Sequence, residues 1–215
     1  MTQIALRNMT VMVKKRILLE NVAITVNDGE TVWLRGPNGS GKSTVLKLMA
    51  GLLRAQTGTV LVNGQALLPG HFLANAGVII NTPVFIPSLS GFANLQMLAA
   101  IRHMISDDDI RQRMQRLGLN PQDRMRVRQY STGMNQKLGI IQAVMEKPVI
   151  LLLDEPLNGL DKAAKQQVID LLRTMQQETP NLTMVMVSHE EEIAPLVTRR
   201  LLIDGLQVIP DDDQQ

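Results

Sequence analysis

An α/β chain is predicted, with a mostly parallel sheet covered by helices on both faces, an antiparallel β subdomain and a helical subdomain. Three observations carry that prediction. From Val149 onward, apolar strand-like runs alternate with helical patterns, the order that builds a parallel sheet with covering helices. The N-terminal part reads as short strands punctuated by turn dipeptides. The stretch from about Phe85 to Arg128 reads as helical.

Taken in order, residues 1 to about 35 pattern as short strands with Asp28-Gly29 as a turn signal, and Glu30-Thr-Val-Trp-Leu-Arg35 is a short buried strand. Val45-Leu-Lys-Leu-Met-Ala50 is an apolar helix closed by Gly51. Thr59-Val-Leu-Val62, followed by Asn63-Gly64, is another strand and turn, so an antiparallel layer is expected close to that helix. In the helical zone, one helix runs over Ala93–Arg102 and another over Ile110–Leu117. The second is introduced by Ser106-Asp-Asp-Asp109, a Ser cap with near-capping-box spacing and negative charge for the first turn, and is ended by Gly118. Leu138-Gly-Ile-Ile-Gln-Ala-Val-Met145 reads as an amphipathic helix stopped by Pro148. Then follow a strand over 149–153, a helix over 161–178, a strand over 182–187, a short helix near 190–198 and a hairpin around Asp204-Gly205. The tail Asp211-Asp-Asp-Gln-Gln215 is predicted to fray in solvent. There is no internal repeat and no low-complexity linker.

The 215 residues suffice for one large domain or two small ones with a sizeable core. A net charge of +2, with both signs spread along the chain, argues against a nucleic-acid partner. Without cysteine, neither disulfides nor thiolate metal sites can form. Met1-Thr-Gln-Ile-Ala-Leu-Arg-Asn lacks the apolar run of a signal peptide, and no stretch reaches the roughly 18 apolar residues of a membrane span, so a cytoplasmic location is expected. Methionine is frequent where aromatics are scarce, 13 against five, which suits adaptable core filling.

The most specific signal is Gly36-Pro-Asn38-Gly39-Ser40-Gly41-Lys42-Ser43-Thr44, which fits G-x-x-x-x-G-K-[ST] between the predicted strand and helix. Glycines let such a loop wrap an anion so that backbone amides and the helix N-terminus face phosphates. Lys42 adds a positive charge for the β- and γ-phosphates and the Ser43 hydroxyl can ligate Mg²⁺, so ATP with magnesium is the expected ligand. Val149-Ile-Leu-Leu-Leu153 is apolar without alternation, as a strand buried on both faces should be, and ends in Asp154-Glu155-Pro156. Its carboxyl end is where α/β sheets bind ligands, which assigns Asp154 to magnesium and Glu155 to deprotonating the attacking water. His189 follows the run Leu182–Val187 and Ser188 in the same way, within expected reach of the γ-phosphate, whereas His71 and His103 carry no such context.

Tyr130-Ser131-Thr132-Gly133-Met134-Asn-Gln-Lys137 precedes the helix before that strand. Taken alone, Ser-x-Gly ahead of a helix is a cap. Together with the phosphate loop and Asp154-Glu155, it resembles the signature of the ATP-binding-cassette family, the nucleotide-binding domain of ABC transporters, in a variant similar to many bacterial export-type ATPases. Asp154-Glu155-Pro156-Leu-Asn158-Gly159-Leu160-Asp161 looks like the family's Walker B strand and D-loop, and the resemblance runs from about Ile4 to Val208. It implies a single ATPase domain over residues 1–215 with a P-loop NTPase core and a helical subdomain inserted at about 84–145. It further implies a head-to-tail pair with a second ATPase subunit, in which Ser131, Gly133 and Asp161 of one copy complete the site around ATP held by the other. A transmembrane permease subunit would be driven through the helical zone, with this chain peripheral on the cytoplasmic face of the membrane.

Two positions depart from the family pattern. Asn81, in Ile80-Asn81-Thr82-Pro83, stands where a Gln often contacts magnesium and the attacking water. Met12-Val13-Lys14 stands where an aromatic ring often stacks on adenine, so Met12 becomes the candidate base platform. Arg111, Arg113, Arg116, Arg124, Arg126 and Arg128 form a basic cluster that reads as a solvated face, or as a docking face for a partner loop or anionic headgroups. Two other classes would look different. A soluble cassette protein of translation or DNA maintenance would carry two cassettes or a long coiled coil between loop and signature, and a small-molecule kinase would need neither the signature nor Glu155.

Overall fold

The computed structural model describes residues 3–13 and 15–211. Two sheets organise it. A four-stranded antiparallel sheet has the order β2-β1-β4-β5, with β1 Ile4–Val13, β2 Arg16–Val26, β4 Thr57–Val62 and β5 Gln65–Ala66. The six-stranded sheet has the order β10-β9-β3-β8-β7-β6, with β3 Thr31–Arg35, β6 Ala76–Ile79, β7 Ile150–Asp154, β8 Thr183–Val187, β9 Arg199–Asp204 and β10 Gln207–Pro210. All neighbours in it pair in parallel except β10, which turns back along β9. Around the sheets lie α1 Lys42–Met49, α2 Gly91–Arg102, α3 Asp107–Arg116, α4 Thr132–Val144 and α5 Lys162–Glu178.

The parallel strands are apolar on both faces because each face has its own core. Leu151 and Leu153 of β7, Met184 and Met186 of β8 and Trp33 of β3 face the core shared with α2 to α5. Ile150, Leu152, Val185, Val187, Val32 and Leu34 face the other core, shared with α1 and the antiparallel sheet. Strict alternation along a strand thus distributes one apolar run between two cores. Met9, Met49, Met114, Met145, Met184 and Met186 are buried filler, as expected of an aromatic-poor chain.

Several elements differ from their sequence outline. The N-terminal strands are long, ten and eleven residues, because β1 absorbs register shifts after Leu6 and Met9 that keep it paired on both sides. The strand β6 was not anticipated. Its run Ala76-Gly-Val-Ile is only four residues, and β7 decides its pairing. The helix expected from Leu138 starts at Thr132, because the Ser131 hydroxyl accepts from the Met134 amide at 3.1 Å and caps it early. The short helix near 190–198 is a 3-10 segment over Glu191–Leu196 that accommodates Pro195. Ser106 forms a full capping box with Asp109. Asp211 is anchored rather than frayed: its amide donates to the Arg200 carbonyl at 3.1 Å and its carboxylate pairs with Arg35 at 3.0 Å. The other residues of that tail, and Lys14, lie outside the described residues.

The basic cluster divides. Arg111 lies over the Phe92 ring and near Asp108, Arg113 is half-buried so that desolvation lowers its pKa, and Arg116 donates to the Thr174 hydroxyl. Arg124, Arg126 and Arg128 are exposed.

Candidate nucleotide site

Three adjacent strands, β3, β8 and β7, end on one side of the parallel sheet, and the loop after each carries polar chemistry. The loop after β3 is 36–41, the loop after β8 begins Ser188-His189, and β7 ends at Asp154 with Glu155 next. The loop after the neighbouring edge strand β6 carries Asn81. Together they enclose a cavity of about 470 Å³ lined by Asn38, Gly39, Gly41, Lys42, Ser43, Thr44, Asn81, Asp154, Glu155 and His189, with Leu18, Gln136 and Asn158 also contributing. This is the convergence at strand carboxyl ends that parallel sheets offer a ligand.

The loop before α1 is built as a cradle. Gly39 and Gly41 take φ of 79° and 105°, values costly for a residue with a Cβ, so the chain curls back and starts α1 with no side-chain cap. Gly36 and Ser40 complete the curl, the Ser40 amide donating to the Pro37 carbonyl at 3.2 Å. Lys42 is buried, and its ammonium donates to the Gly36 and Pro37 carbonyls at 2.8 and 3.0 Å. Desolvation lowers its pKa, while the charges of Glu155 and Asp154 act the other way. A buried ammonium held only by neutral carbonyls leaves charge for an anion to satisfy.

Glu155 is held in the left-handed region at φ 48°. Such a conformation costs of order 1–3 kcal/mol and persists where surroundings over-determine it. Here they do: the Glu155 amide donates to the Val187 carbonyl at 2.8 Å, and its own carbonyl accepts from Asn158 and from the Gln136 amide group, both at 3.1 Å. Its carboxylate accepts from the His189 backbone amide at 3.3 Å. The His189 Nε2 lies 3.5 Å from that carboxylate and 3.1 Å from Asn38 Oδ1, bridging the phosphate loop to the acid. Burial pushes the Glu155 carboxyl above the usual carboxylate range, with the His189 contacts opposing. A carboxylate with raised pKa is a stronger base at neutral pH.

Asp154 is buried beside it, and Asn81, at φ 64°, faces the same cavity. No group of three or more His, Cys, Asp or Glu placed to hold a metal ion occurs among the described residues. The Ser43 hydroxyl, Asp154 carboxylate and Asn81 amide therefore offer part of an oxygen set that phosphate oxygens and water would complete, which fits a hard cation arriving with a nucleotide.

The other expected positions lie elsewhere. Met12 and Val13 are exposed at the end of β1 and do not line the cavity. The apolar wall is Leu18 of β2, a residue the sequence reading missed because register, not spacing, carries it there. Ser131, Gly133 and Asp161 also lie outside the cavity. Ser131 and Asp161 cap α4 and α5, and Gly133 packs so closely that a Cβ would sit 2.9 Å from the Gly159 carbonyl oxygen. Gln136 was missed too. From α4 it donates to the carbonyls of Glu155 and Pro156, both at 3.1 Å, tying α4 to the Glu155 turn.

The chain matches the ABC transporter family over residues 19–158. Among its relatives, the ABC transporter ATP-binding protein YybJ of Bacillus subtilis is 36% identical over 186 residues, spanning 86% of this chain and 84% of that protein. The lantibiotic transport ATP-binding protein SrtF of Streptococcus pyogenes is 33% identical over 175 residues, spanning 81% of this chain and 75% of SrtF. The bacitracin transport ATP-binding protein BcrA of Enterococcus faecalis is 33% identical over 195 residues, spanning 88% of this chain and 63% of BcrA. In fold the chain is similar to the dimeric bacterial ABC transporter cassette MJ0796, with a TM-score of 0.85 at 24% identity over 95% of this chain and 96% of that one. The chain belongs to the ABC transporter family, as one of its ATP-binding, ATP-hydrolysing subunits.

Proposed function

We propose that this subunit hydrolyses ATP within a head-to-tail pair of cassettes and thereby drives a separate transmembrane permease at the cytoplasmic face of the membrane. The observation that carries the reading is the convergence of Lys42, Glu155, His189 and Asn38 in one cavity, with Gln136 linking it to the helix that Ser131 caps.

The roles follow from the chemistry. Amides of Gly39 to Thr44 and the Lys42 ammonium hold the β- and γ-phosphates of ATP, and Leu18 rather than Met12 packs on adenine. Glu155 takes a proton from a water aimed at the γ-phosphorus. The new P–O bond forms as the bond to ADP breaks, and its electron pair goes to the β-phosphate oxygen. His189, held by Asn38 and Glu155, stabilises the developing charge on the γ-phosphate. When bound, magnesium would be held by Ser43 and Asp154, with Asn81 nearby, and would neutralise phosphate charge. Across the pair, the hydroxyl of Ser131 and the first amides of α4, including that of Gly133, meet the γ-phosphate of the partner's ATP, with Asp161 at the adjoining turn.

An exposed apolar surface supports a permease partner. Between β6 and α4 lies a groove of about 290 Å³ lined by Leu52, Ile80, Pro83, Val84, Gly139 and Gln142. Val84 is 90% exposed, and Ile101, Phe72 and Met97 add further exposed apolar area. No helix among the described residues is long and apolar enough to cross a membrane. The relatives SrtF and BcrA are named for lantibiotic and bacitracin transport, which favours cargo choice in the permease.

The test is the solution mass of Glu155→Gln by light scattering, with and without Mg-ATP. A shift from monomer to dimer that requires ATP is expected. A monomer that persists with ATP demonstrably bound would overturn pairing of two copies of this chain.

A further inference from the structure

Behind the loop that carries His189 lies an arrangement that the ATPase chemistry does not use. Trp33, the only tryptophan in the chain, is buried on β3 and its indole N–H donates to the Ser188 carbonyl at 3.0 Å, one residue before His189. The guanidinium groups of Arg35 and Arg200 lie over its ring, 4.9 and 5.4 Å from the centroid. Arg35 is the last residue of β3, adjoining Gly36. It pairs with Asp211 at 3.0 Å and with Glu191 at 3.4 Å.

These contacts differ in weight. The Asp211 side chain is 5% exposed and that of Glu191 68%. An exposed ion pair contributes little, and a pair buried on one side holds its partner more firmly. The Arg35 side chain is itself 29% exposed, so loss of Asp211 would loosen it rather than strand its charge. Asp211 therefore fixes Arg35, Arg35 helps to hold the Trp33 ring, and the indole N–H fixes Ser188. The Glu191 contact is secondary. Since His189 reaches Glu155 and Asn38 from this same loop, small displacements of Ser188 pass directly to Nε2.

We propose that Trp33, braced by Arg35 and Asp211, is a positioning residue for His189, making Asp211, the residue after β10, part of the catalytic support. The inference rests on the role given to His189 above. Misplacing a catalytic group by about 1 Å can cost up to about 10²-fold in rate, so a partial release through loss of one hydrogen bond should cost about tenfold.

The test is a double-mutant comparison by ATP turnover of the full chain, with Trp33→Phe keeping the ring and removing the N–H. Trp33→Phe is expected to lower kcat about tenfold with KM within about twofold, yet to change kcat less than about twofold in a His189→Ala background. Asp211→Asn, nearly isosteric and less prone to misfold, should show the same pattern at smaller size. Equal losses with and without His189 would overturn the proposal, because a general loss of structure needs no His189. So would a rise in KM at constant kcat, which would assign the brace to the phosphate loop. If His189→Ala alone leaves kcat unchanged, the role of His189 falls and the proposal with it. If His189→Ala is slow while Trp33→Phe and Asp211→Asn match wild type, the proposal alone is overturned.

Discussion

The loop at 36–41 and the turn at 131–134 both deliver the chain into a helix N-terminus, yet they are finished differently. At the first, Gly41 caps α1 with no side chain and a buried ammonium leans on its own carbonyls. At the second, Ser131 closes its own helix by accepting from Met134, and the turn is exposed at Ser131 and Thr132. The first is therefore an unsatisfied anion site complete within one chain. The second is a satisfied cap whose remaining first-turn amides have value only when a phosphate is brought to them. On the reading proposed above, one cassette holds ATP and the second surface, from a partner cassette, completes its use.

The largest expected effect breaks the first region without touching the second. Glu155→Gln should lower ATP turnover by about 10²–10⁴-fold while leaving ATP affinity near wild type, measured by phosphate release and by titration. Its pH dependence follows from the direction of the shift. With the carboxyl above its ordinary range, wild-type kcat should fall on acidification at a pH higher than an ordinary carboxylate would dictate, as the base becomes protonated. Stability runs the opposite way. The unfolded chain loses this proton at lower pH than the folded one, so folding is weakened as pH rises between the two values, and Glu155→Gln should raise the melting temperature at neutral pH.

Next in size is the link between the regions. Gln136→Leu strands the Pro156 carbonyl and leaves the Glu155 carbonyl with the Asn158 amide, which should cost about 1–3 kcal/mol in denaturant unfolding and lower turnover in parallel. Turnover at wild-type level would mean that α4 and the Glu155 turn are independent.

Ser131 separates capping from catalysis. Ser131→Ala should cost about 1 kcal/mol of stability. Ser131→Asp keeps a good cap, and thus stability, but sets a negative charge against phosphate, so ATP-driven dimerisation of a Glu155→Gln background should be lost. Dimerisation undiminished in that variant would remove the turn from the interface.

The smallest effect concerns the base. Leu18→Tyr should tighten ATP binding severalfold, since an added aromatic contact is worth about 0.5–1.5 kcal/mol, and Met12→Tyr should leave it unchanged. The reverse result in a nucleotide titration would restore Met12 as the platform.

Much of the site was legible because its parts are local. A glycine loop, a lysine and a helix start share nine residues, and Asp154-Glu155 and His189 each follow an apolar run that can only be a doubly buried strand. Local order also announced the caps at Ser106 and Ser131. What was not legible depends on pairing. The four residues of β6 carry too little pattern to name a strand, and only the β7 edge makes them one. Leu18 reaches the cavity at a register shift of β2 against β1, between the Val11–Leu19 and Met12–Ile17 partners. Gln136 and Trp33 look like ordinary helix and strand residues until the Glu155 and Ser188 carbonyls are beside them.

By itself, then, the order of residues determined the glycine loop before α1 and the acidic pair at the end of β7, because phosphate cradles and strand ends are built from consecutive residues. Tertiary structure alone decided the apolar wall, the left-handed Glu155 turn with its Gln136 tether, and the Trp33 brace behind His189. Each of those is a hydrogen bond or contact between residues 19 to 155 positions apart, or a strand register, and no local pattern encodes either.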